Sequence, residues 1–192
     1  FYAYVHREAA LFFGLTQSTM MRGEAYGFTA LGSLQERADM TARILDVRYH
    51  LLLPDLSLVG SPLDYYQWGA LLKSLSGFEA YRRKYHAGIR PIDVVEFVLL
   101  EPEFPRSLRY CLDGMERALA RIGSLPDGAV PMRMAALRAH LDGVSPRKVL
   151  DDGLHEYLED FLDLLADLTG ALQADYFEAH MADATDAAGV EA

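Results

Sequence analysis

One uninterrupted stretch of thirty residues, from Glu24 to Leu53, limits most strongly what this chain can fold into. It contains no proline, and Pro54 follows it directly, where the proline ring would end a helix. Its apolar residues recur at the three- and four-residue spacing of an α-helix rather than at the two-residue spacing of a strand. The stretch therefore predicts one long helix around which the rest of the chain must pack.

At about 100° per residue, the apolar side chains of this predicted helix fall on two stripes that lie on nearly opposite sides. The first stripe comprises Leu31, Leu34, Ala38, Ala42, Leu45, Tyr49 and Leu52, and the second comprises Met40, Ile44, Val47 and Leu51. Because burial stabilises each apolar stripe, we expect packing partners on both sides. The helix is therefore predicted to be the central element of a helical bundle.

Proline and glycine divide the rest of the chain into further helical segments. None of these segments alternates between apolar and polar residues as a half-buried strand does, so the predicted fold class is all-α. Helices are predicted over residues 1–21, 62–86 (one helix or a pair), 91–100, 106–122, 132–141 and 146–181. We expect one domain over residues 1–182 and a frayed tail over residues 183–192.

The first and last of these helices carry more detailed expectations. In the first helix, the apolar residues available for burial are Val5, Leu11, Phe12 and Leu15. In the last helix, Gly153 and Gly170 are expected to be weak points, because glycine lowers helix stability.

The charge balance argues against two classes of partner. The chain has 28 acidic and 18 basic residues, which gives a net charge of −10. A polyanion would meet a repelling average field, so we expect binding neither to nucleic acid nor to an acidic membrane surface. No apolar run approaches the roughly 18–20 residues that a membrane-spanning helix needs, and no signal peptide is visible.

Cysteine usage predicts the cellular compartment. Cys111 is the only cysteine, so no intrachain disulfide can form and a reducing cytoplasm is expected. Phe1 stands inside a helical pattern, so we also expect a further segment upstream of it.

Two sets of charged residues lie between the apolar stripes of the central helix. The first set is Glu36, Asp39, Arg43, Asp46 and His50, whose spacing is typical of a solvated, ion-paired face. It can also contribute to a binding site.

The second set is Arg37, Thr41 and Arg48, and it is flanked closely by apolar residues. A guanidinium buried without a carboxylate partner is very costly. Either these arginines reach water along their stems, or they pair with acids from neighbouring helices, or they hold a carboxylate or phosphate ligand.

Weaker patterns lie elsewhere in the chain. Arg106 and Arg109 stand near a helix start, where the dipole disfavours cations, so we expect acidic partners for them, within the chain or outside it. His155 has helical spacing to Asp152 and to Glu159, but the ligand set of a known metal motif is absent. We therefore expect no metal, and no phosphate-binding loop or catalytic set is visible.

Several segments together carry a resemblance to a known family. The stretch from Leu31 to Tyr49 contains the pair Glu36-Arg37. The other similar segments are, in order, 19–20, 23–24, 67–68, 70–74, 78–81, 103–107 and 153–158. The chain thus resembles the bacterial alpha-E domain family, which is named for its Glu-Arg motif. It departs from the family pattern at Ser33, where arginine is usual, and at Gln35, where an aliphatic residue is usual.

The resemblance also implies an arrangement and a setting. Family members usually begin with an earlier helix that bears another Glu-Arg pair, so the chain is expected to correspond to the larger, C-terminal portion of the family domain, with the N-terminal portion absent. Alpha-E proteins are typically encoded beside, or fused to, circularly permuted ATP-grasp proteins and transglutaminase-like peptidases. The implied function is therefore a non-catalytic helical accessory or interaction domain of a peptide-ligating or peptide-modifying system.

The expected partner is an ATP-grasp-type ligase or a transglutaminase-like protein, with a peptide as a further candidate and no cofactor. The alternative is an enzyme component with an anion-binding active site around Glu36, Arg37 and Arg43. The predicted binding residues are Glu36, Arg37, Asp39, Arg43, Asp46, Arg48 and Arg106. The sequence leaves the oligomeric state open.

Overall fold

The structure, a computed structural model, describes residues 1–52, 62–123 and 128–178, but not the side chains of residues 48–52. Helices make up most of these ranges. No strand lies in these ranges, which confirms the all-α prediction. The helices are α1 (Tyr2–Thr19), α2 (Glu24–Leu52), α3 (Pro62–Ser74), α4 (Phe78–Lys84), α5 (Pro91–Leu100), α6 (Leu108–Ile122), α7 (Val130–Asp142), α8 (Pro146–Asp152) and α9 (Leu154–Leu172). A π-helical segment, Gln173–Glu178, follows α9. The predicted tail over residues 183–192 lies outside the described residues.

The long helix α2 is the hub of the bundle, because α6, α9 and α3 all pack against it. In its first apolar stripe, Leu31, Ala38, Ala42 and Leu45 are buried as predicted, and Leu34 packs half-buried against the core. In the second stripe, the expected burial is wrong for Met40 and Val47, which are 42% and 48% exposed, whereas Ile44 packs half-buried against the core. The side chains of Tyr49, Leu51 and Leu52 lie outside the described residues.

Two glycines allow α2 and α6 to approach closely. A Cβ atom added at Gly27 would lie 2.7 Å from the Cγ1 atom of Ile122, and one added at Gly114 would lie 2.7 Å from the Cδ1 atom of Leu34. Both distances are shorter than van der Waals contact allows. Larger residues at these two positions would hold the two helices further apart.

The short helix α5 forms the apolar centre of the fold. Val94, Val95, Val98 and Leu99 are all inaccessible to solvent. The helix has the predicted bounds because Pro91 stands in its first turn, where the missing N–H is not needed.

The helix α6 begins two residues later than predicted. The Ser107 hydroxyl accepts a hydrogen bond of 3.0 Å from the backbone N–H of Tyr110 and thereby caps the helix. Because the cap precedes the first helical residue, Arg106 lies in the preceding turn rather than in the helix.

The last predicted helix is two helices in the structure. Gly153 adopts a φ of 140°, in the left-handed region that favours glycine, and separates α8 from α9. The predicted weak point at Gly153 is thus a full break. Gly170, in contrast, lies inside α9 without interrupting it.

The first helix, α1, contains no buried residue. The expected burial of Val5, Leu11, Phe12 and Leu15 is therefore wrong, since their exposed fractions lie between 47% and 58%. Only the C-terminal end of α1 meets the bundle, where Phe13, Thr16 and Gln17 border a groove beside α2. No helix in the described ranges combines the length and the apolar character that crossing a membrane requires.

Candidate functional site

Two grooves run along α2, one on each side. The first, termed here the basic groove, lies between α1, α2 and α6. The second, termed the α2–α9 groove, lies between α2 and α9. Most of the predicted binding residues lie on α2. The groove that each of them lines determines which other residues can contact the same ligand.

The basic groove is lined by three arginines, Arg37 from α2 and Arg117 and Arg121 from α6. Its lining contains no Asp or Glu. The neutral polar residues around the arginines are Thr16, Gln17, Tyr26, Thr29, Ser33 and Tyr110. The basic groove therefore presents hydrogen-bond donors and positive charge, an environment that suits an anion.

Arg37 is half-buried at the floor of the basic groove. Its Nη1 atom donates a hydrogen bond of 3.2 Å to the backbone carbonyl oxygen of Pro105. No carboxylate in the described part of the chain forms an ion pair with it, so the predicted pairing with an acid from another helix is wrong. The Pro105 carbonyl oxygen accepts from Arg37 instead of a carboxylate, because the loop before α6 passes beside α2.

Tyr26 lies between two cations at the edge of the basic groove. The Cζ atom of Arg22 lies 4.1 Å from its ring centroid, and that of Arg121 lies 5.5 Å away. The Tyr26 hydroxyl donates a hydrogen bond of 3.1 Å to the Oε1 atom of Gln17. The Tyr26 side chain thus contacts Arg22 of the α1–α2 turn, Gln17 of α1 and Arg121 of α6.

The α2–α9 groove holds the other predicted residues from the middle of α2. Arg43 binds Asp39 with two hydrogen bonds, 2.8 Å from Nε and 3.0 Å from Nη2. This pairing raises the pKa of the Arg43 guanidinium. Glu36 lines the same groove and is exposed. The predicted ion-paired face is therefore confirmed for Asp39 and Arg43, whose charges neutralise each other.

Asp46 contacts a histidine of α9. Its Oδ1 atom lies 2.7 Å from Nδ1 of His155, and the Nε2 atom of that ring lies 3.2 Å from Oε2 of Glu159. A carboxylate can only accept hydrogen bonds, so a ring with a carboxylate at each nitrogen favours the doubly protonated form. The hydrogen bond to Asp46 accordingly raises the pKa of His155. Within the described residues, no group of three or more His, Cys, Asp and Glu is arranged to hold a metal ion.

Arg106, another predicted binding residue, lines neither groove. The side chain of Arg48 is outside the described residues. Arg106 is half-buried, and no ion pair joins it to an acid in the part of the chain that the structure describes. Its neighbour Arg109 does pair with Asp142. The acidic partner predicted for the start of this segment is therefore found for Arg109 and not for Arg106.

Cys111 lies close to Arg37 and Arg106 in the core and is inaccessible to solvent. Burial raises the pKa of its thiol to about 12, although the two neighbouring arginines act in the opposite direction. The thiol is therefore protonated near neutral pH and packs as a small apolar group.

Sequence reasoning missed Arg117 and Arg121, although they supply two of the three charges in the basic groove. The available signal was their spacing of four residues, which places both on one face of α6. A second signal was the pairing of Arg22, just before α2, with Tyr26 in its first turns. Arg121 of α6 contacts the same Tyr26 ring.

Comparison with protein families gives one match. A family model described as a predicted alpha-helical domain with a conserved ER motif matches residues 1–177 of the 192. The Glu36-Arg37 pair lies within the matched range. Neither a curated protein nor a solved structure matches the chain.

Proposed function

Because the chain belongs to the Alpha-E family of helical domains, we propose that it is a non-catalytic accessory domain that binds a partner protein. The partner class that we propose is an ATP-grasp-type ligase or a transglutaminase-like protein of a peptide-ligating or peptide-modifying system. This partner class is supported by the setting that the family resemblance implies, and the mode of binding is supported by the exposed apolar side chains of α1.

The observation that carries the proposal is the uncovered apolar surface of α1. Val5 and Phe12 are seven residues apart, as are Tyr4 and Leu11, and Leu15 follows Leu11 by four. These spacings place the five side chains on one broad face of the helix. All of them are between 47% and 60% exposed. An apolar helix face of this kind suits a groove or a helix on another protein, because burial there removes apolar surface from water.

The separation of Glu36, Arg37 and Arg43 favours an accessory role over the alternative of an enzyme component. Arg37 lines the basic groove, whereas Glu36 and Arg43 line the α2–α9 groove on the other side of α2. Asp39 also neutralises Arg43. An active site built from these three residues would need them to face one substrate, and they face different grooves.

The test combines a binding measurement with matched variants. The chain should co-purify with a co-expressed ATP-grasp-type ligase or transglutaminase-like protein from the same genome, and the variant Phe12→Asp/Leu15→Asp should lose that association. The control is Leu63→Asp/Met132→Asp, which places the same two charges on exposed apolar positions of α3 and α7. Equal binding by both variants would refute the α1 interface.

A second measurement separates the accessory role from the enzyme alternative. The chain alone, mixed with ATP, magnesium and amino acids or peptides, should release no phosphate and form no amide bond. It should raise or redirect the activity of the ATP-grasp protein when the two are combined. Phosphate release by the chain alone, abolished by Glu36→Gln, would overturn the proposal in favour of an enzyme.

A further inference from the structure

The basic groove brings three arginines together in one lining that contains no Asp or Glu. Acidic residues outnumber basic ones by 28 to 18. Six other arginines in the described ranges form ion pairs with Asp or Glu, namely Arg7, Arg43, Arg90, Arg109, Arg133 and Arg138, and five more form none, namely Arg22, Arg82, Arg83, Arg106 and Arg147. Arg37, Arg117 and Arg121 form none there and line a single groove that contains no acid. Clustering three like charges is unfavourable unless an anion compensates for it.

The three guanidinium groups retain donors for a ligand. A guanidinium has five N–H donors, and Arg37 commits its Nη1 atom to the carbonyl oxygen of Pro105. That hydrogen bond orients the Arg37 group without neutralising its charge. Arg117 and Arg121 are exposed neighbours on one face of α6, and the ring of Tyr26 supports Arg121. Planar guanidinium groups match the geometry of carboxylate and phosphate oxygens.

The size of the basic groove limits the ligand. Its volume is about 260 Å³, and the close contact of α2 with α6 at Gly114 and Leu34 forms part of its wall. Such a volume is near the lower end of small-molecule sites. The hydroxyl groups of Ser33 and Tyr110 add neutral hydrogen-bonding partners to the lining.

We propose that the basic groove is a binding site for a small molecule that carries a carboxylate or phosphate group, held by Arg37, Arg117 and Arg121. The charge, the free donors and the size of the groove all point to this ligand class. The site is independent of the apolar face of α1, so it stands whether or not that face binds a partner protein.

The test is calorimetric titration of the whole 192-residue chain with two probes, citrate for carboxylates and inorganic pyrophosphate for phosphates. At least one probe should bind with a stoichiometry of one, and the tighter probe identifies the ligand chemistry. The variant Arg117→Gln/Arg121→Gln should bind that probe at least about tenfold more weakly, since each lost charge-assisted bond contributes substantially. Both positions are exposed, and circular dichroism should show an unchanged helix content.

The matched control is Arg82→Gln/Arg83→Gln, which removes the same two charges from exposed positions of α4 outside the groove. This control should bind like the parent chain, which distinguishes a local site from the average field of the protein. The inference is overturned if neither probe binds, or if both double variants lose affinity equally.

Discussion

At the scale of single residues, His155 is the side chain whose charge links α2 to α9. It lies between Asp46 of α2 and Glu159 of α9, and the hydrogen bond to Asp46 raises its pKa above 6.5. Glu156 also lies close enough to favour the charged ring. The folded chain therefore holds a proton on His155 more tightly than the unfolded chain does.

This shift predicts a pH dependence of stability. A group whose pKa is raised by folding stabilises the fold fully below its unfolded pKa, here 6.5, and the stabilisation is lost as pH rises through the folded pKa. The difference in Tm between the parent chain and His155→Gln should thus be largest at about pH 5.5–6 and should shrink toward about pH 8.5. Thermal unfolding across this range measures it, with the exposed His86→Gln as control. A Tm difference that grows with pH would contradict the assignment.

Some contacts of the candidate residues could be predicted from the sequence, and others could not. The pairs Asp39–Arg43 and His155–Glu159 are four residues apart, and helical spacing alone brings each together. The contact of Asp46 with His155 spans 109 positions, and no local pattern contains it. Arg37 illustrates the same limit, because its acceptor is a backbone carbonyl 68 positions away. Every residue type has such a carbonyl, so composition gives no signal for it.

At the scale of helices, α2 offers two glycines that test its packing against α6. Gly27 faces Ile122 and the carbonyl oxygen of Ala118, where a Cβ atom would lie 2.7 Å and 3.3 Å away. Gly32 has no atom within 4 Å of its virtual Cβ. Both glycines stand inside the helix, so the same alanine substitution brings the same gain in helix propensity.

We therefore expect opposite outcomes for the two substitutions. Gly32→Ala should stabilise the chain by about 0.5–1 kcal/mol through backbone entropy. Gly27→Ala should be less stable than Gly32→Ala by about 1–3 kcal/mol, because the added methyl group must displace α6. Urea denaturation of the two variants and the parent gives both values. Equal stabilisation by the two substitutions would show that α2 and α6 do not meet closely at Gly27.

Helix bounds were predictable where proline or a capping residue defines them. The range of α5 follows from Pro91, whereas Gly153, predicted only as a weak point within one helix, is a full break between α8 and α9. The burial of each face was not predictable in the same way. Periodicity tells which residues share a face, but whether another helix covers that face depends on the tertiary arrangement. For this reason Ala38, Ala42 and Leu45 of the first stripe are buried, while Met40 and Val47 of the second stripe and the apolar residues of α1 are exposed.

At the scale of the whole molecule, the net charge of −10 governs encounters with other charged molecules. The segment from Tyr81 to Lys84 places aromatic and basic residues together, as RNA-binding surfaces do. In the structure, however, Tyr81 is buried and stacks on Tyr85 with ring centroids 4.8 Å apart. Lys84 forms an ion pair with Glu101. Neither ring is therefore free to stack on a base.

We predict no measurable binding of duplex or single-stranded nucleic acid at physiological salt. The basic groove does not alter this expectation, because its three arginines leave the net charge of the chain at −10. Fluorescence anisotropy with labelled oligonucleotides is the measurement. Sub-micromolar binding that weakens steeply with added salt would contradict the prediction.

The position of α2 as the hub has a consequence during synthesis on the ribosome. Its contacts with α9 join residues that are far apart in the chain, 134 positions for Gln35 with Thr169. At elongation rates of about 5–20 residues per second, α9 is translated roughly 7–27 s after the middle of α2. Throughout that interval the apolar stripe with Ala38, Ala42 and Leu45 has no α9 to pack against. The apolar residues of α2 that pack against α9 therefore remain uncovered by it for seconds during synthesis.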